Sequence, residues 1–290
     1  MDVEITKLNG ESFRLSEHDV TVRDFVVGSP TINPVYSQIE GRHGRVDMGA
    51  TYGTRSISVP FYYKAADIHD VALLRDELAG LAVSAEPFYI REMRRIIYGN
   101  GDNQFVSGKQ YKVRLAYPYE IDQQLEFGFG ELRFETTDLP FAESIGTTAD
   151  IDANGIDVGS AIWGAGMGLS TEPDYQRYTW RGTSAVIYNA GNIAVHPFMQ
   201  YLKITISDVR GSNQFLRLRN ATNGSVFRVN EAVSNSDTIV IDGPNVTKNG
   251  LVFFRKTSRE FISLEPGRND IQITGATSAK VSFDFRFYYL

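Results

Sequence analysis

Hydrophobic and polar residues alternate along most of the chain, and one stretch follows a helical period instead. Strict alternation runs through 55–63 (RSISVPFYY), 111–117 (YKVRLAY) and 280–289 (KVSFDFRFYY). Period-two alternation is the pattern of a half-buried strand. Within 65–84, apolar residues recur at helical spacing, at Ile68, Val71, Leu74, Leu78 and Leu81. The pattern predicts a strand–helix–strand unit within a mainly β protein, with Asp67 as the helix N-cap.

The alternation changes phase once, within 125–134. The apolar residues occupy odd positions and then even positions: Leu125, Phe127 and Phe129, followed by Leu132 and Phe134. Gly128 and Gly130 lie beside the change. An extra residue in one strand reverses which face its side chains occupy. The sequence therefore predicts a β-bulge next to these glycines.

The second half of the chain has the pattern of an all-β domain. Short alternating segments are separated by turn signals such as Asn223-Gly224 and Pro266-Gly267, which favour a β-sandwich. The preceding stretch, about 144–175, is poor in large aliphatic residues and rich in Gly, Ala, Asp, Ser and Thr. Such composition is typical of a connection. We therefore expect two domains, 1–148 and 149–290.

The start of the connection resembles a calcium-binding loop, DIDANGIDVGSA. Asp150, Asp152, Asn154 and Gly155 fit positions 1, 3, 5 and 6 of an EF-hand loop. Position 12 requires a bidentate Glu and is Ala161. Asp, Asn and Gly are equally the residues of turns. The favoured interpretation is a turn or linker.

Composition narrows the classes of function. The chain has 290 residues, no cysteine and a net charge of −6. Residues 1–148 carry 15 basic and 22 acidic side chains, which gives −7, whereas 149–290 carry 14 and 13, which gives +1. An acidic half disfavours nucleic-acid binding. The sequence contains no run of about 18 apolar residues, the length needed to span a membrane. Disulfides and thiolate metal sites are excluded.

Catalytic patterns are not found in the sequence. The four histidines lack the spacing of a metal pair, and no nucleophile elbow, P-loop or dinucleotide fingerprint occurs. We therefore assign no catalytic residue, metal or cofactor. Trp163 and Trp180 could stack on a sugar ring, although packing in a core or interface is the favoured role for both.

A Gly/Arg-rich stretch, 40–55, does not have the pattern of a core strand. It contains four glycines and is read either as a flexible surface loop or as an arm that reaches a neighbouring subunit. In an arm, arginine can form bidentate ion pairs across an interface. The candidate interface residues are Arg42, His43, Arg45 and Arg55.

Three segments in order give the chain a family resemblance. The chain resembles the distal tail proteins of long-tailed, non-contractile bacteriophages in three segments. The first is the Gly/Arg stretch with 55–93, the second is 130–144 (GELRFETTDLPFAES), and the third is 188–206 with 260–275 and the final strand. They cover most of the chain.

The resemblance implies a fold and a role. We expect an N-terminal β-rich belt domain with one α-helix and a C-terminal galectin-like β-sandwich. The family is non-enzymatic. Its members form homo-hexameric rings that join the tail tube protein to tail-tip proteins such as a tail-associated lysin, tail fibre or receptor-binding protein.

DNA passes through the centre of such a ring, without sequence-specific binding. The acidic first half agrees with a lumen that DNA does not adhere to. The implied location is the tail tip of the virion, assembled in the bacterial cytoplasm. The alternative is a carbohydrate-binding protein that adheres to the host cell wall through its C-terminal sandwich.

Overall fold

The computed structural model describes residues 1–98, 102–106, 108–157, 160 and 162–290. The prediction of a mainly β protein is confirmed, with 49% of residues in strands and 11% in helices. The chain forms two compact units, Met1–Ala142 and Glu143–Leu290. The longer of the two described α-helices has 13 residues, too few to cross a bilayer.

The first unit is an antiparallel sheet with one helix. Its strands are β1 (Asp2–Lys7), β2 (Ser12–Arg14), β3 (Val20–Val22), β4 (Val26–Ser37), β5 (Val46–Lys64), β6 (Phe88–Tyr98), β7 (Asp102–Val106), β8 (Lys109–Leu115), β9 (Ile121–Gln124) and β10 (Phe127–Thr136). The main sheet has the order β2-β1-β6-β8-β10-β5-β3, and β4, β7 and β9 pair with β5, β6 and β10. A one-turn 3-10 helix, Leu15–His18, connects β2 to β3.

The core of this unit lies on one face of the sheet. Alternate residues of β5 from Ile57 to Tyr63 are buried, as the period-two pattern predicts. They pack with buried residues of the other strands, among them Val3, Ile5, Phe88, Ile90, Leu132 and Phe134. The segment between β5 and β6 covers part of the core with a helix.

Helix α1 (Asp70–Ala82) begins later than the apolar spacing indicates. The N-cap is His69 and not Asp67 as predicted. The Asp67 carboxylate, two residues earlier, still accepts hydrogen bonds from the backbone N–H groups of His69 (2.7 Å) and Asp70 (3.1 Å). Ile68 precedes the helix and is exposed. The buried stripe is Val71, Leu78 and Ala82, with Leu74 packed partly against the core.

The predicted β-bulge in β10 is wrong. The pairing of β10 with β5 is continuous from Phe127 opposite Lys64 to Glu135 opposite Ser56. Even-numbered positions face the core throughout, so Gly128 occupies an inward position. A Cβ on Gly128 would lie 2.3 Å from Cζ of Tyr63, whose ring fills the space instead. The space that a larger side chain at position 128 would fill is occupied by Tyr63 of the neighbouring strand β5.

The second unit contains two sheets, which form a β-sandwich as predicted. Its strands are β11 (Ala142–Ser144), β12 (Thr179–Gly182), β13 (Ser184–Asn189), β14 (Leu202–Arg210), β15 (Leu216–Asn220), β16 (Val226–Val229), β17 (Ile239–Asp242), β18 (Asn245–Lys248), β19 (Leu251–Val252), β20 (Gly267–Thr274), β21 (Ser278–Phe285) and β22 (Tyr288–Tyr289). One sheet has the order β12-β21-β14-β17-β18-β19 and the other β13-β20-β15-β16. Strand β11 pairs with β22, and 3-10 turns occur at Pro173–Gln176 and Phe254–Lys256.

The segment read as a turn or linker starts with a helix, α2 (Thr148–Asn154). The Asp150 carboxylate accepts a hydrogen bond from the Thr147 backbone N–H (2.7 Å), which completes a capping box. Asp152 accepts one from the Tyr178 N–H (2.7 Å). These two carboxylates therefore have structural partners within the unit. Ala161 lies outside the described residues.

Candidate functional site

The clearest candidate site is the hairpin formed by β4 and β5. In the fully described range 26–54, every side chain is exposed or only partly buried. At about 3.3 Å per residue, the 12 residues of β4 span about 40 Å. Two strands without a covering layer are marginally stable in water. A ribbon of this length is therefore suited to pack on another surface.

The hairpin exposes an unusual number of large apolar side chains. Eight of the 22 exposed large hydrophobic residues in the described part of the chain belong to it: Val26, Val27, Ile32, Val35, Tyr36, Ile39, Met48 and Tyr52. Clusters of exposed apolar residues mark protein interaction sites. These residues give no strand signal in the sequence, because Pro30 and Pro34 interrupt the alternation that would place them on one strand.

Local features keep the ribbon irregular and narrow. The β4–β5 register shifts near Pro30 and between Pro34 and Tyr36. Proline has no N–H to donate, so it is tolerated on an edge strand such as β4. A Cβ on Gly53 would lie 2.2 Å from Oγ1 of Thr31, so glycine permits the close approach of the two strands here.

Three of the four predicted interface residues lie at the hairpin tip. Arg42, His43 and Arg45 are all exposed. Gly41 and Gly44 beside them have positive φ angles of 80° and 78°, which glycine adopts without strain.

The tip also holds an aromatic contact. The Arg45 guanidinium, just before β5, lies 3.8 Å from the centre of the Tyr36 ring on β4, a cation–π contact across the hairpin. Arg45 is therefore held in position while it stays accessible to a partner.

Arg55 does not share this location. Its side chain is only 4% exposed, and its guanidinium lies 5.9 Å from the ring centre of Tyr111 in the same unit. Its backbone N–H donates to Oγ1 of Thr136 (2.9 Å). Arg55 thus stabilises the base of the hairpin, and its interface role stays a prediction. The sequence does indicate that Arg55 is buried, because it lies two residues before the buried Ile57 and therefore on the same face of β5.

The other three histidines have local environments that differ from one another. Nδ1 of His18 lies 2.6 Å from the Glu77 carboxylate, His69 is exposed just before α1, and the His196 backbone N–H donates to Gln200. Across residues 1–98, 102–106, 108–157, 160 and 162–290, no group of three or more His, Asp or Glu side chains is arranged to hold a metal ion.

The two tryptophans lie in different settings. Trp163 is buried at 3% exposure with its ring against Phe287, so its preferred role in packing is confirmed. Trp180 is half-buried: its Nε1–H donates to the Arg177 carbonyl (2.9 Å), and the Arg177 guanidinium lies over its ring. Trp180 also borders a groove of the second unit.

Comparison with known proteins agrees with this architecture. A family model described as the phage tail protein RIFT-related domain matches residues 8–136, and one described as the siphovirus-type tail component, C-terminal domain, matches residues 198–289. A search of curated protein sequences gave no significant match.

Among solved structures, the crystal structure of SPP1 Dit (gp 19.1), described as a paradigm of the hub adsorption apparatus in phages that infect Gram-positive bacteria, shares the fold. The match has a TM-score of 0.62 at 13% identity and covers 98% of this chain and 99% of that chain. Chains from the phage P2 baseplate in its activated conformation, with calcium or strontium, match at 12% identity with TM-scores of 0.38 and 0.39, and cover 99% and 98% of this chain and 97% of each of theirs.

The two domain matches define a structural component of a bacteriophage tail, and the shared fold agrees with them. Within that class, the chain belongs to the distal tail protein (Dit) family of siphophages, as the resemblance predicted.

Proposed function

We propose that this protein is a non-enzymatic, homo-hexameric hub that joins the tail tube to the tail-tip or baseplate proteins. The observation that carries the proposal is the β4–β5 hairpin, whose eight large apolar residues remain exposed in their own unit even though the Tyr52 ring contacts that of Phe141. Packed on the next copy, the hairpin buries those residues and closes a ring by one repeated, heterologous contact. Arg42, His43 and Arg45 supply polar contacts at its tip.

The charge distribution supports a channel for DNA at the centre of the ring. Residues 1–148 carry a net charge of −7, whereas 149–290 carry +1. A lumen bordered by the acidic part repels phosphates, so DNA passes without adhering. The tail tube protein above the ring, and a tail-associated lysin, tail fibre or receptor-binding protein below it, are the proposed partners. Assembly takes place in the bacterial cytoplasm.

Removal of the hairpin tests the proposal. Ile32 pairs with Tyr52, so replacement of residues 33–51 by Asn-Gly completes a two-residue turn and leaves the core strands intact. Light scattering and negative-stain microscopy should show rings for the wild type and monomers for the truncated chain. The matched control is the double substitution Leu251→Ser, Val252→Ser, which removes the two residues of β19, 75% and 88% exposed, in the other unit.

Each outcome has a definite meaning. Rings in the control and monomers in the truncated chain support the arm. A wild type that is monomeric both in solution and in isolated tail tips contradicts the hub. Rings of unchanged size after truncation would show that assembly uses another surface.

A second candidate function, carbohydrate binding through the second unit, is favoured by one observation. The half-buried Trp180 borders an open groove with polar side chains on its floor. An aromatic ring beside hydrogen-bonding groups is suited to stack on a sugar and to orient it.

A further inference from the structure

One face of the β13-β20-β15-β16 sheet is rich in arginine. Leu216 and Leu218 of β15 point into the core. Arg217 and Arg219, which alternate with them along the strand, therefore lie on the outward face. Arg228 of β16 is on the same face. Within the described part of the chain, no carboxylate lies at ion-pair distance from these three guanidinium groups, in a protein with a net charge of −6.

The strand register places two of these charges directly opposite each other. Arg217 pairs with Arg228 across β15 and β16. Like charges directly opposite in a sheet are destabilising. The other sheet has a comparable pair, Arg181 opposite Lys280, but there Asp208 forms ion pairs with Arg181 and with Arg210. The Arg217–Arg228 pair has no such acid from its own chain.

A groove on the same face, with Trp180 of β12 at its border, includes Gln272, the cross-strand neighbour of Arg219. It has a volume of about 430 Å³ and is lined by Trp180, Ser184, Val186, Arg268, Asp270 and Gln272, among others. Ser184 pairs with Gln272, and Gln272 pairs in turn with Arg219, so one row of side chains leads from the groove to Arg219. Arg268 is already neutralised by Asp270 at 2.8 Å.

The surroundings favour a glycan over a protein as the ligand. A protein interface needs large apolar or aromatic residues at its centre. None of the 22 exposed large hydrophobic residues of the described chain lies on β13, β15, β16 or β20. An open groove with amide and hydroxyl groups, one aromatic edge and several guanidinium groups matches an extended, polar, negatively charged chain.

We propose that this face, from Trp180 through Gln272 to Arg217, Arg219 and Arg228, is a binding site for an anionic polysaccharide that carries phosphate or carboxylate groups. The guanidinium groups bind the anionic groups in bidentate geometry, and the groove holds a neighbouring sugar or polyol unit. The ligand thereby supplies the negative charge that the Arg217–Arg228 pair lacks. The inference deepens the carbohydrate-binding candidate and does not depend on ring formation.

Binding measurements on the full-length protein test this assignment. Poly(glycerol phosphate) and polygalacturonate supply phosphate and carboxylate chains, neutral dextran removes the charge, and single-stranded DNA tests any polyanion. The key variant is Arg217→Gln, Arg228→Gln, with Arg219→Gln as an independent single change. The matched control is Arg181→Gln, Lys280→Gln, which removes the same charge from the other cross-strand pair.

We expect at least one anionic polysaccharide to bind, dextran to bind at least tenfold more weakly, and the key variant to lose at least tenfold in affinity. Arg219→Gln should lose at least threefold, and the control should stay within twofold. The key variant relieves like-charge repulsion but also removes the contact of the Arg228 guanidinium with the Phe215 ring, so its unfolding temperature should stay within about 4 °C of the wild type. Failure of both anionic polymers to bind, equal losses in the control, or equally tight binding of DNA would each overturn the assignment, and ring size would be unaffected.

Discussion

At the residue scale, Gly128 explains why the phase change in alternation does not produce a bulge in β10. A switch of the apolar residues from odd to even positions predicts a bulge only if side chains of that same strand must fill the core beside it. Here Tyr63 on β5, fully buried, fills the space over the glycine, and the outward Phe129 packs at 6.1 Å from Tyr62. Sequence alone does not show which neighbouring ring occupies a glycine's space, because that depends on strand register.

We therefore expect Gly128→Ala to lower the free energy of unfolding by about 1–3 kcal/mol, since its Cβ overpacks against the Tyr63 ring. The control, Gly80→Ala, adds a methyl group with no heavy atom within 4 Å, in the interior of α1. It should raise the free energy of unfolding by about 0.5–1 kcal/mol. Urea titrations measure both, and a Gly128→Ala variant as stable as wild type would contradict the packing argument.

Two arginines of the Gly/Arg-rich stretch 40–55 are expected to affect different properties, one the stability of the fold and the other ring assembly. Arg55→Ala removes a buried side chain from Tyr111 and should lower the free energy of unfolding by about 1–3 kcal/mol. Arg45→Ala, at the exposed tip, should change it by less than about 0.5 kcal/mol and instead weaken ring formation. Denaturation combined with light scattering checks both. Equal unfolding midpoints with impaired assembly in both variants would place Arg55 at the subunit interface after all.

At the element scale, the strands and α1 were predictable because burial imposes a period on the sequence. The hairpin was predictable only in part. Its glycines and arginines marked an unusual segment, but exposed residues such as Ile32, Val35 and Met48 follow no period, since no core of their own unit selects them. A surface that is buried only in an assembly leaves no alternation in the sequence of one chain.

A charged cluster ties the loop before β17 to the β18–β19 turn. Asp237 accepts hydrogen bonds from Ser234 (2.8 Å) and Asn249 (2.9 Å) and forms an ion pair with Lys248 (3.1 Å), which also contacts Glu231. Burial raises the pKa of the Asp237 carboxyl, but these hydrogen bonds outweigh it and hold that pKa below its usual range. The carboxylate form is therefore favoured by folding.

Because the folded pKa is depressed, this stabilisation is complete above the unfolded pKa of about 3.9 and is lost as pH falls through the lower folded pKa. Asp237→Asn should cost about 1 kcal/mol at pH 7 and progressively less below pH of about 4. The control Glu260→Gln alters an exposed carboxylate and should have no effect. Unfolding titrations from pH 7 to pH 3 check this; a cost that stays constant over that range would argue against the carboxylate.

At the scale of the whole molecule, sequence composition located the change from one module to the next but not the residue at which it falls. The sequence predicts a boundary at 148/149, and the compact units divide at 142/143. Residues 144–148 belong to the predicted connection, which is poor in large aliphatic side chains. Their contacts are polar: the Thr148 hydroxyl donates to the Phe283 carbonyl (2.8 Å) and accepts from the Phe285 N–H (3.0 Å).

Two fragments decide between these boundaries. Fragment 143–290 retains the Thr148 hydroxyl and the Ser144 N–H, which donates to the Phe287 carbonyl (2.8 Å). Fragment 149–290 lacks both groups, so the Phe283 and Phe287 carbonyls lose these hydrogen bonds. Each lost buried hydrogen bond costs about 1 kcal/mol or more, so the shorter fragment should unfold several degrees lower. The Thr148→Val variant of the longer fragment should fall between them, because it removes only the hydroxyl. Thermal denaturation followed by circular dichroism measures all three, and equal midpoints would favour 148/149 and make the strand at Ala142–Ser144 dispensable for the sandwich.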